Sequence, residues 1–68
     1  MGEQLVSRLR EERTRRNLTQ GQLAEIVGVS RKTINTVENG IFVPSTVLSL
    51  RLARALDTTV EQLFQLPA

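Results

Sequence analysis

Gln20 to Val37 reads QGQLAEIVGVSRKTINTV, and the spacing within this stretch decides the fold. Counted from Gln20, Leu23 falls fourth, Ala24 fifth and Gly28 ninth. Val27, Val29, Ile34 and Val37 fall eighth, tenth, fifteenth and eighteenth. Thr19, just before the stretch, has the chemistry of an N-cap, and Gln22 follows it at capping-box spacing. Leu23, Ala24 and Val27 then make an apolar face at helical spacing. Gly28 ends that helix, because a tight turn needs a residue tolerant of positive φ. Ser30 caps a second helix, and Ile34 and Val37 form its inward stripe.

Two short helices meeting at a steep angle need a small residue where their axes approach, and Ala24 supplies it. Val29, inside the turn, is expected to plug into the core. Any one of these features fits an ordinary pair of packed helices. All of them in register, with two caps, describe a helix-turn-helix, whose second helix stands out to enter the DNA major groove.

The flanking sequence extends the helical reading in both directions. Upstream, Gln4 to Arg16 reads as one helix, with Leu5 and Leu9 four apart and Arg13 continuing their stripe. Downstream, Asn39-Gly40 ends the second helix of the motif. Ile41-Phe42-Val43 is rich in β formers, but three residues between a Gly and a Pro make a loop. Ser45 caps the next helix, with Leu48, Leu52 and Leu56 on one stripe and Ala53 beside it. Thr59 caps the last, with Gln62 at a second capping-box spacing and Val60, Leu63 and Phe64 as its apolar residues. No period-two alternation reads as a strand. The expectation is an all-α fold of five short helices, with residues 1–68 forming a single DNA-binding domain.

Composition narrows the chemistry. The 68 residues include no Cys and no His, which removes disulfides, thiolate nucleophiles, zinc sites and imidazole acid–base catalysis together. No carboxylates cluster as metal ligands, and no glycine-rich loop cradles phosphate, so neither enzyme, metal nor cofactor is expected. No apolar run approaches the roughly 18 residues of a membrane span, and no signal-peptide pattern opens the chain. A cytoplasmic protein with no membrane partner is expected. Net charge is only +2, yet eight of the nine basic residues are Arg. Arg8, Arg10, Arg13, Arg15 and Arg16 crowd one segment, while Arg31 and Lys32 open another. Arg suits bidentate contacts to phosphate and guanine.

With these motifs in place, the chain resembles a known family. LTQGQLAEIVGVSRKTINTVENG followed by VPSTVLSLRLARALDTTVEQLF is similar to the Cro/C1-type (XRE) helix-turn-helix regulators, from about Leu5 to Phe64. The resemblance implies a compact five-helix, lambda-repressor-like fold, with the motif on helices 2 and 3. It implies sequence-specific binding of double-stranded DNA, reading the major groove with the helix from about Ser30 to Asn39, usually as a homodimer on a palindromic operator and as a repressor.

Carried onto this chain, the base-reading positions are Arg31, Lys32, Thr33, Asn35 and Thr36, and the phosphate contacts are Thr19, Gln20 and Asn39. The family's helix-opening Gln, matched by Gln20, also braces the recognition helix. Arg13 and Glu38 match a structural ion pair between the first and third helices, and the Leu5–Leu9 stripe points Arg13 inward independently. Arg10, Arg15 and Arg16 are expected on a solvated face.

The residue chemistry agrees. Positive side chains near a helix N-terminus are disfavoured by a few tenths to about 1 kcal/mol, so Arg31 and Lys32 there argue for an external anion. Arg and Lys pair with guanine O6 and N7, and Asn35, one turn on, has the chemistry to read adenine. Three departures from the family pattern stand out. Asp57 replaces a Gly at the end of the fourth helix, so a differently shaped end is expected. Thr58 and Ser49 replace apolar residues, so closer or under-filled packing is expected around that helix. Val47, Leu50, Phe64 and Leu66 exceed the core stripes and are expected at a dimer contact. The alternative is an antitoxin-like or protein-interaction module, whose DNA binding serves a partner protein or a missing ligand-binding domain.

Overall fold

A computed structural model describes residues 4–68. It contains β1 (Val6–Ser7), α1 (Leu9–Arg15), α2 (Gln20–Val27), α3 (Arg31–Glu38), α4 (Thr46–Ala55), α5 (Val60–Leu63) and β2 (Phe64–Gln65). The five expected helices are present, and four of them start where a hydroxyl side chain permits. Thr19 and Gln22 form the full reciprocal box, with Gln22 N donating to Thr19 Oγ1 at 3.0 Å and Thr19 N to Gln22 Oε1 at 2.8 Å. Ser30, Ser45 and Thr59 each accept from the backbone N–H three residues on. At Thr59 only that half of the expected box forms.

The motif's turn is built as its residues require. Gly28 sits at φ 80°, and its N–H and that of Val29 both donate to the Ala24 carbonyl, at 2.8 and 3.0 Å. Ala24 itself is buried between the helices. Val29 is half-buried against the core. Leu9, Leu23, Ile34, Leu52, Leu56 and Leu63 are wholly buried and make a single apolar cluster contributed by all five helices. Each such side chain contributes about 1.5–3 kcal/mol relative to exposure.

Four expectations are corrected. The first helix begins at Leu9, not near Gln4, because the residues before it are held elsewhere. Val6–Ser7 pairs antiparallel with Phe64–Gln65, and Arg8 N donates to the Leu63 carbonyl at 2.8 Å. Leu5 therefore packs against the core from outside the helix. The same pairing supplies strands where none were expected. Two residues per strand are too few for an alternation to be read, and their partners lie at opposite ends of the chain. Phe64 belongs to this pair and is buried, so it completes the core instead of serving an outside contact.

The end of α4 is the fourth. Asp57 adopts φ 54°, the left-handed form a Gly would take, and Thr58 N donates back to the Ala53 carbonyl at 2.9 Å. The end thus keeps the usual shape. Ser49 is buried on the inner face of α4, and Thr58 is half-buried.

Gly28 offers a clean test of the turn. A Cβ added there meets nothing within 4 Å, so only backbone strain opposes it. Gly28→Ala should lower stability by about 1–2 kcal/mol, and Gly28→Asn by less, since Asn visits this region more readily. Denaturant melts of the two variants check the ordering.

Candidate nucleic-acid interface

The α3 helix exposes one face and anchors the other. Ile34 and Val37 are buried in the core, where α3 packs on α2 and α1. Arg31, Lys32 and Asn35 are exposed. Arg31 and Asn35 lie four apart and so share a face. No acidic residue stands in the first turn of α3, and neither Arg31 nor Lys32 has an ion-pair partner among the described residues. Thr33 and Thr36 are half-buried and turn their hydroxyls to their own helix. Thr33 Oγ1 pairs with Ser30 Oγ at 3.0 Å, and Thr36 Oγ1 donates to the Thr33 carbonyl at 3.0 Å. The five expected base readers thus divide into two unpaired cations, the exposed but hydrogen-bonded Asn35, and two hydroxyls engaged locally.

At the other end of α3, Glu38 is buried, its side chain wholly so. Arg13 Nε donates to Oε2 at 2.6 Å, and Arg13 Nη2 to Oε1 at 3.2 Å. Gln20 Nε2 donates to Oε1 at 3.1 Å, and Arg10 Nε to the same oxygen at 3.2 Å. Arg13 spends its remaining end on the Leu18 carbonyl at 2.8 Å. The pairing of Arg13 with Glu38, implied by the family resemblance, is present and ties α1 to α3. Burial pushes the Glu38 carboxyl up. The hydrogen bonds from Arg13, Gln20 and Arg10, with the charge of Arg13, outweigh burial and hold it below the ordinary value.

Arg10 stands on the solvated face with Arg15 and Arg16, its side chain 54% exposed, but it also joins the buried cluster, which sequence reasoning missed. It bonds Glu38 through Nε and Asn39 Oδ1 through Nη2 at 3.0 Å. The available signal was its position three residues before Arg13, on the same helical face. Arg15 and Arg16 make only longer contacts, to Glu12 at 3.5 Å and Asp57 at 3.9 Å.

The three expected phosphate contacts flank α3. Thr19 caps α2. Gln20 divides its amide between Glu38 and Asn35 Oδ1, the latter at 3.2 Å. Asn39 Nδ2 donates to the Asn35 carbonyl at 2.9 Å and to Asn35 Oδ1 at 3.3 Å. Both amides are therefore engaged within the protein.

A family model described as helix-turn-helix matches residues 9–63. The chain belongs to that family. It is 48% identical over 57 residues to an HTH-type transcriptional regulator of Methanothermobacter thermautotrophicus, spanning 82% of this chain and 83% of the relative. Among solved structures it is similar to the restriction-modification controller protein C.AhdI of Aeromonas hydrophila. There the TM-score is 0.76 at 42% identity, over 81% of this chain and 83% of that one. It is also similar to the clp gene regulator ClgR of Corynebacterium glutamicum, with a TM-score of 0.75 at 30% identity. That match covers 79% of this chain but only 57% of ClgR. The helix-turn-helix protein is thus an XRE-type transcriptional regulator, and double-stranded DNA is what its family binds. Among its described residues no helix is long and apolar enough to cross a membrane.

The Glu38 cluster yields a measurable pH dependence. A carboxyl held below its ordinary value of 4.5 stabilises the fold fully above that value, and the contribution is lost as pH falls through the lower folded value. Wild type should lose more stability than Glu38→Gln as pH falls below 4.5. At neutral pH, Arg13→Ala should cost about 3–5 kcal/mol by leaving the charge short of donors. Denaturant melts across this pH range measure both.

Proposed function

We propose that the protein reads the major groove with α3, Arg31, Lys32 and Asn35 facing base edges and Thr33 and Thr36 lining their flank. The observation that carries this reading is the pair of exposed, unpartnered cations at the α3 N-terminus, with the helix behind them fixed by a buried ion cluster. Two cations against the helix dipole are stabilised when an anion or a guanine edge meets them. Thr19, Gln20 and Asn39 flank the helix and contact phosphate. The Gln20 side-chain amide is already committed, so its phosphate donor is the backbone N–H at the start of α2. Asn39 reaches phosphate by turning one Nδ2 proton away from the Asn35 carbonyl, which keeps its backbone donor, while the bond to Asn35 Oδ1 stays in place.

In this reading residues 1–68 act in the cytoplasm as one DNA-binding domain, and the protein represses by occupying its operator as a two-fold dimer. One recognition helix reads too few base pairs to single out a genomic site, and pairing doubles the site. Val47, Leu50 and Leu66 are 60%, 57% and 67% exposed, and supply an apolar contact surface on α4 and the C-terminal tail.

Duplex affinity should fall steeply as salt rises, through counterion release. Arg31→Ala should cost about 1–3 kcal/mol and relax preference at one base pair. Titrations at several salt concentrations and a binding-site selection test the pair, and a flat salt response on every selected duplex would overturn the DNA reading. Sedimentation on a palindromic duplex should show two chains per site. Leu50→Glu should leave the helical spectrum intact and reduce occupancy to one.

A further inference from the structure

Asn35 sits at the junction between the buried cluster and the exposed face of α3. Its Oδ1 accepts from Gln20 Nε2 at 3.2 Å and from Asn39 Nδ2 at 3.3 Å. A carboxamide oxygen has two lone pairs, and both are used. Its Nδ2 has no hydrogen-bond partner among the described residues, so both amide protons are free.

This orientation is forced from two ends. The Glu38 carboxylate only accepts, so Gln20 must turn its NH2 toward it, and the second proton of that NH2 requires an oxygen at Asn35. Arg10 only donates, so Asn39 must offer Oδ1 to it. That leaves the Asn39 NH2 pointing at the Asn35 carbonyl and Oδ1. Turning the Asn35 amide over would set its NH2 against two other NH2 groups. The low-lying Glu38 carboxyl keeps the first anchor ionised at neutral pH.

We infer that Asn35 reads DNA as a donor alone, and that its base is guanine and not adenine. The inference rests on the groove-reading role of α3 proposed above. Asn reads adenine by donating to N7 while accepting from the N6 amine, and here the acceptor is occupied. Guanine presents two acceptors, N7 and O6, to match the two free protons. Gln20 acts as a positioning residue that sets this polarity from inside the protein.

The test is a random-duplex selection with the wild-type chain and with Asn35→Ala, Gln20→Ala and Arg31→Ala. Asn35→Ala should erase preference at one base pair, where wild type favours guanine over adenine by about tenfold, the scale of a good base contact. At that base pair 7-deazaguanine, which lacks the N7 acceptor, should weaken wild type and leave Asn35→Ala unaffected. Gln20→Ala frees one lone pair of Asn35 and should narrow the guanine-over-adenine ratio to about two- to threefold. The narrowing should come from tighter binding of the adenine duplex, whereas a general loss of packing would weaken both duplexes.

Selection of any base other than guanine at that position overturns the inference. So does an Asn35→Ala profile identical to wild type while Arg31→Ala loses a preference, and that result leaves the DNA reading intact. A wild-type chain that selects no sequence at all would overturn both.

Discussion

An ionised carboxylate taken out of water costs several kcal/mol unless donors surround it. Glu38 receives four hydrogen bonds, from Arg10, twice from Arg13 and from Gln20. These donors come from α1 and from the first residue of α2, while Glu38 ends α3. The charge can be buried only if the three helices hold their relative positions. An apolar contact tolerates sliding, whereas a carboxylate with a fork of guanidinium donors does not. The angle at which α3 leaves the body of the protein is thus set by hydrogen bonds, and the leucine core around Leu9, Leu23 and Leu52 supplies the bulk of the burial.

That division of labour leaves the exposed end of α3 free for a ligand. Buried groups are satisfied without help from outside: no buried side-chain polar atom among the described residues lacks a partner. Arg31 and Lys32 are the contrast, charged and exposed with no counter-ion in the first turn of their helix. A helix-turn-helix regulator needs both conditions. The reading helix must be rigid, so that binding costs little ordering, and its tip must be unsatisfied, so that DNA supplies the missing partners. Asn35 connects the two, exposed on α3 with its Oδ1 held by Gln20 and Asn39.

Much of this was legible because it is local. The Thr19–Gln22 box, the caps at Ser30 and Ser45 and the left-handed Gly28 are each fixed by hydrogen bonds spanning a few residues, so residue type at a given spacing carries the information. The leucine stripes were legible for the same reason. Asp57 shows where the local rule bends: its backbone takes a form that Gly adopts more easily, because the fourth helix must end where the core ends. Strain of this kind is held by the surrounding packing and is invisible to propensity.

By itself, then, the chain's sequence determined the number and order of helices, the turn between the second and third, the inward direction of Arg13 and the placement of Arg31 and Lys32 at the start of α3. Tertiary structure alone decided where the first helix begins, because Val6–Ser7 is claimed by Phe64–Gln65 from the far end of the chain. It decided that Phe64 is core and Leu50 surface, two residues of similar apolar character. It also decided that Arg10 joins Glu38 and that Asn35 turns its oxygen inward. Each of these outcomes depends on groups distant in sequence. Whether such groups meet is set by loop closure and by the packing of the whole core, which no window of neighbouring residues contains.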